Sequence, residues 1–285
     1  MAGAQWSKYP YDQKPVSYPG DALRRAWPRL HAGDLEPFPE PAGLAKASGT
    51  RVDAPALGFK GSFEELAAKL QDAWRAFHRG DFREATELGA RLGPFGASVA
   101  NKAAAVYCTY LEENDKRAIQ ILMDAAGRGD EACRKLPAYA NAWYFHAFAL
   151  GRYAQRISVL KALGEGIGGK VQKALETVIK LEPKHADAHI ALGTYHAEII
   201  DKVGALAGRL TYGVDKAKAL KHFEKAIQLN PQAAIGYMEY GNGLIMLEGE
   251  KKQAEAVKLY KKAAACKPAD AMERLDVEQA KAELE

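Results

Sequence analysis

From Ser62 onward, apolar residues recur at intervals of three and four, the period of an amphipathic helix. In FEELAAKLQDAWRAFHRGDFREATELGARLG, Leu66, Leu70, Trp74 and Phe77 fall on one helical stripe. Arg79-Gly80-Asp81 then turns the chain into a second such segment. Strand-like alternation is absent, so the pattern predicts an all-α chain built from helix, short polar turn and helix. The first 61 residues differ. YPYDQKPVSYPGD and LEPFPEPAG are rich in Pro and Tyr, which interrupts helix and favours extended segments and turns. Between them GDALRRAWPRLHAGD predicts a short helix broken at Pro28. Trp6, Trp27 and Phe38 are too apolar for a solvated tail, so this arm is expected to lie along the helical body.

Aligning the chain on Pro137, Pro183, Pro231 and Pro268 exposes a repeat, because CRKLP, IKLEP, IQLNP and AACKP close similar phrases. Six residues after the first three prolines stand Trp143, His189 and Tyr237; ten residues after stand Ala147, Gly193 and Gly241. Eight residues before the last three stand Leu175, Phe223 and Tyr260, with Val178, Ala226 and Ala263 five before. Small positions let paired helices approach closely, large ones fill the space between pairs, and proline stops each second helix.

These positions resemble the tetratricopeptide repeat. The match is specific in HADAHIALGTYH…ALKHFEKAIQLNP and in AAIGYMEYGNGLIMLEG…AEAVKLYKKAAACKP, and eroded between Phe63 and Leu136. The expected organisation is an irregular arm over 1–61, a helical-hairpin solenoid over 62–268, and a polar capping helix over 269–285. The proline spacings of 46, 48 and 37 residues reveal insertions near 152–170 and 198–218. These are expected to lengthen a first helix, add a crossing loop and serve as binding elements. Lengthened repeats of this kind resemble the T-component family of tripartite ATP-independent periplasmic transporters and, more distantly, the regulator-of-microtubule-dynamics family. The resemblance implies a periplasmic setting, oligomeric assembly and contact with a solute-binding protein; cytoplasmic residence is the alternative.

Composition narrows the classes further. Forty Lys and Arg against 36 Asp and Glu, interleaved, give a net charge of +4 and no case for nucleic acid. No apolar run reaches the roughly 18 residues of a membrane span. Cys108, Cys133 and Cys266 are odd in number and widely spaced, which fits buried thiols rather than a disulfide framework or zinc site. Ala2-Gly3-Ala4 has the small-x-small form of a leader-peptide cleavage region.

The candidate chemistry divides into three groups. His185, His189 and His196 lie close together, but H-E-x-x-H is absent and His189 fills the slot of Trp143 and Tyr237. They read as packing histidines. The alternative is a metal, small-molecule or catalytic pocket around His146, His189, His196 and Glu198, with Arg152 a further member if catalytic. GEGIGGK fits G-x-x-x-x-G-K, yet a helix is expected before it and Val171 follows the Lys, so it reads as a helix connection. Finally, the register projects Tyr107, Tyr110, Tyr144, Phe148, Arg152, Thr194, Glu198, Met238 and Asn242 onto the concave face. An aromatic wall with few charges suits an extended peptide or a small amphipathic ligand. No cofactor motif and no nucleophile elbow is present, so the expected function is a non-enzymatic recognition scaffold.

Overall fold

The computed structural model describes residues 6–47 and 58–285, and all regular structure among them is helical. The Ala2-Gly3-Ala4 pattern lies outside the described residues. The helices are α1 (Ala22–Leu30), α2 (Pro41–Ala47), α3 (Phe63–His78), α4 (Phe82–Ala90), α5 (Gly93–Tyr110), α6 (Asp115–Lys135), α7 (Ala140–Ile157), α8 (Val159–Gly164), α9 (Ile167–Leu181), α10 (Ala186–Val203), α11 (Ala205–Tyr212), α12 (Lys216–Leu229), α13 (Ala234–Glu248), α14 (Gln253–Ala264) and α15 (Ala271–Ala282). Contacts divide the chain into two compact units. The first holds 1–28 and 36–157; the second holds 29–35 and 158–285.

In the first unit α3 to α7 pack as successive hairpins, with α5 touching both α3 and α7. That is the stacking order of tetratricopeptide-like repeats. Helix α3 starts with a capping box: the Ser62 hydroxyl accepts from the Glu65 N–H while the Glu65 carboxylate accepts from the Ser62 N–H. Three alanines, Ala104, Ala125 and Ala149, bring α5, α6 and α7 together. Gly89 and Gly96 bring α4 and α5 closer still, since a Cβ on Gly96 would stand 2.0 Å from the Gly89 carbonyl oxygen.

The arm residues of this unit pack on it through aromatic rings. Trp6 stacks on Tyr107 at 3.9 Å, and Trp27 meets Phe38, Trp74 and His78 edge-on. The Trp27 indole N–H donates to the Glu36 carbonyl, and the Glu36 carboxylate accepts from Tyr139 and Asn141. Pro28 sits inside α1, two residues before its end, so the helix is not broken there as expected.

In the second unit α10, α12, α13 and α14 pair in the same order, and α15 covers α13 and α14. The residue at the glycine slot of one helix meets the ring from the next large slot. A Cβ on Gly193 would lie 2.7 Å from the Phe223 ring, and one on Gly241 2.5 Å from the Tyr260 ring. Gly243 presses on the other side of Phe223, with 2.4 Å to its ring. Residues 29–35 belong here as well: the Gly33 carbonyl accepts from the Asp187 N–H, and Arg29 is paired with Glu273.

Both insertions lengthen the preceding helix, but each then continues into a further short helix rather than a crossing loop. Ser158 caps α8, and Gly166 (φ +73°) separates α8 from α9. Gly204 (φ +83°) separates α10 from α11, and Gly213 (φ +66°) ends α11 in the left-handed conformation that suits glycine. Aliphatic and alanine-rich sequence between those glycines favours helix.

Gly193→Ala is expected to lower unfolding free energy by about 1–3 kcal/mol, because Phe223 is blocked on its far face by Gly243 and cannot yield. Gly151→Ala, on α7 with open space around it, is expected to raise it by about 0.5–1 kcal/mol. Urea denaturation of both variants checks the contrast.

Candidate functional site

The repeat position six residues after each proline has a shared chemical task. The Trp143 indole N–H donates to the Pro137 carbonyl at 2.9 Å, His189 Nε2 meets the Pro183 carbonyl at 3.1 Å, and the Tyr237 hydroxyl donates to the Pro231 carbonyl at 3.0 Å. Three ring types thus supply one polar hydrogen to the proline carbonyl in the turn that follows each second helix. His189 holds its place because it can do what Trp and Tyr do.

That bond also fixes the tautomers around it. A carbonyl only accepts, so His189 Nε2 carries the proton and neutral Nδ1 accepts. Its partner is His222 Nδ1 at 2.8 Å, which therefore donates. His196 Nδ1 accepts the Asp215 N–H at 3.4 Å, and its ring stacks against His222. His222, on α12, is a member that the sequence pattern does not single out. The proline register aligns first helices and gives no signal for a partner on the second.

Burial holds all three rings in the neutral form. It depresses His196 and His222 to about 4 and lowers His189, with nearby Lys218, Lys221 and Lys225 adding to the effect. His185 instead caps α10, its Nδ1 accepting from the Ala188 N–H. His146 lies in the first unit with Nδ1 on the Ala126 carbonyl, while His189 and His196 belong to the second. Among the described residues no group of three His, Cys, Asp or Glu is arranged to hold a metal ion. The arrangement is two hydrogen-bonded groups, His189 with His222 and His196 with the Asp215 N–H, joined by the ring stack of His196 on His222.

The residues projected onto the concave face fare unevenly. In the first unit Tyr144 and Phe148 stack at 6.0 Å and Arg152 lies 5.3 Å over Phe148, a ladder at i, i+4 and i+8 along α7. Tyr110 is half-buried. Tyr107 is fully buried under Trp6, its hydroxyl donating to Glu112 at 2.9 Å and accepting from the Ser7 N–H. In the second unit Thr194 donates to Glu239, and Asn242 accepts from Tyr260. Glu198 is half-buried. Met238 packs with Ala234, Ala263, Val277 and Ala280, so it belongs to the core and not to a binding face. Its register placed it on the first helix of a hairpin, but α15 covers that side.

The thiols are chemically quiet. Burial pushes Cys108 and Cys133 up to about 12 and raises Cys266. The Gly164–Lys170 stretch joins the end of α8 to the first turn of α9 and has no strand before it, so it lacks the phosphate-loop setting.

The inserted helices carry a different feature. The one buried residue of α11 is Gly208, where a Cβ would stand 2.8 Å from Val214. Leu206 and Leu210 point the other way, 67% and 76% exposed, and Leu160 on α8 is 55% exposed. A surface helix ordinarily turns its leucines inward. Here a glycine makes the inward contact and the leucines are left for something else.

No family model matches the chain, and no curated protein matches it. Two crystal structures of MamA are similar at 20% identity: one covers 78% of this chain and 96% of its own with a TM-score of 0.39, the other 74% and 96% with a TM-score of 0.38.

The histidine cluster predicts acid sensitivity. The folded-state values lie below the unfolded value near 6.5, so the stabilisation is complete above pH 6.5 and is lost as pH falls towards 4. His222→Gln, which keeps a donor towards His189 but cannot titrate, is expected to flatten that loss between pH 6.5 and 4.5. Glu112, whose carboxylate is lowered by Arg117 and the Asn114 N–H against the opposing effect of burial, contributes only below that window. Urea midpoints measured across pH 4–8 check it.

Proposed function

We infer that the protein is a non-enzymatic helical-repeat scaffold that recognises another protein, with α8 and α11 as its contact elements. The observation that carries this reading is the inverted polarity of α11, packed through Gly208 and presenting Leu206 and Leu210 to solvent. Exposed leucines cost solubility and contribute nothing to the fold in this position. Rims of polar residues around such a patch are characteristic of interaction sites. The repeat framework supports the reading too, since insertions on one face of a repeat array are frequent binding elements. Tyr144 is buried, so Phe148 and Arg152, both half-buried, are what remains of that ladder as a second contact candidate on the first unit.

A bacterial envelope setting, accessory to solute uptake beside a solute-binding protein, is the finer proposal. Its support is the resemblance of Pro137–Pro268 to T-component proteins.

In source cells, Leu206→Ser with Leu210→Ser is expected to abolish co-purification of whichever protein is stoichiometric with the unaltered chain, while the urea midpoint moves by less than about 0.5 kcal/mol equivalent. Retention of that protein by the double variant would remove α11 from the proposal.

A further inference from the structure

The chemistry of the partner can be read one step further from what surrounds those leucines, an inference that rests on α11 being a protein-contact element. On an eight-residue helix, Leu206, Arg209 and Leu210 stand at i, i+3 and i+4 and share a face. All three are exposed. Downstream, Lys216 opens α12, and Lys218 and Lys221 are exposed on it. Residues 203–221 therefore contain four basic side chains and one acidic, Asp215, a net of +3 within a chain whose total is +4. Lys216 is paired with Glu248, which leaves Arg209 on the leucine face and Lys218 and Lys221 on α12 as the exposed cations of this segment. In the other insertion, Leu160 has Lys161 as its neighbour, also exposed.

Two leucines with a cationic rim select among occupants. A second copy of this chain would have to bury roughly 800 Å² on each side for a stable dimer, and the outward face of a single eight-residue helix offers only a fraction of that. Like charges would also meet like if α11 faced α11. Insertion into a lipid surface needs a broad apolar face, or a long acyl chain and a basic patch together, whereas α11 has two leucines and then ends at Gly213. A short amphipathic helix with leucine-sized side chains on one face and carboxylates along its edge meets both features at once: apolar anchors against Leu206 and Leu210, and acidic groups against Arg209 and the α12 lysines. We propose that α11 docks an acidic amphipathic helix of a partner protein.

The test uses the full chain and short synthetic amphipathic peptides followed by fluorescence anisotropy. One peptide carries leucines on one helical face and glutamates on the rest; a second replaces every glutamate by lysine; a third scrambles the acidic sequence so that its apolar face is lost. Phosphatidylglycerol-rich vesicles are the fourth probe. The acidic amphipathic peptide is expected to bind about tenfold or more tighter than the lysine peptide, and added salt is expected to weaken it. Arg209→Glu and Leu206→Ser with Leu210→Ser are each expected to reduce its affinity by about tenfold.

Equal, leucine-dependent binding of the acidic and lysine peptides overturns the acidic partner and leaves α11 as a protein-contact element. Binding that ignores the leucine substitutions overturns both readings. Vesicle binding lost with the leucines, in the absence of peptide binding, assigns the face to a lipid surface. Concentration-dependent dimerisation abolished by the same substitutions assigns it to a second copy. Either of these last results rejects the proposal.

Discussion

The ring of Phe223 is clamped between two glycines, Gly193 on α10 and Gly243 on α13, and the second unit depends on that contact. Helices pack at 8–10 Å only when their facing side chains allow it. Here the large side chain comes from the middle helix, and the backbone of each neighbour comes up against it. The same device recurs one hairpin later, where Tyr260 presses on Gly241 and its hydroxyl is then placed to reach Asn242. In the first unit the close approaches are made by backbone and alanine instead, at Gly89 with Gly96 and at Ala104, Ala125 and Ala149. Where sequence keeps both partners of the contact, the repeat signature is legible. Where alanine stands in for them, the signature fades although the hairpins persist.

That difference explains how much of the molecule is legible in its sequence. The glycine and aromatic slots are fixed by a close contact that tolerates few residues, so prolines and spacing are enough to predict hairpins between Pro137 and Pro268. The slot six residues after each proline is legible as a pattern, but its role is not. Trp143, His189 and Tyr237 look unrelated until their shared hydrogen bond to a proline carbonyl is seen. The partners of that slot are hidden for a simple reason. His222 meets His189 across two helices, and periodicity within one helix says nothing about it. Tyr107 and Met238 mislead the reading of a binding face, since register assigns a side of a helix and not what covers that side. Trp6 covers Tyr107, and α15 and its neighbours cover Met238.

The insertions show the opposite case. Their positions come from proline spacing alone, while their content reads as loop because glycines outnumber obvious apolar periodicity. Gly204 and Gly213 instead bracket a helix, and Gly208 is spent on its packing. A helix that packs through glycine leaves its leucines without a structural duty. The histidines of the second unit hydrogen-bond to one another and to backbone groups. Recognition has two exposed leucines, an arginine on their face and lysines nearby.

The most direct test of this account is photo-crosslinking in source cells from a photoreactive residue at Leu210, compared with one at Met123, which is 51% exposed on α6 in the first unit. The account predicts one dominant protein adduct from position 210 that is absent from position 123. Indistinguishable adducts from the two positions, or none from position 210, would contradict it.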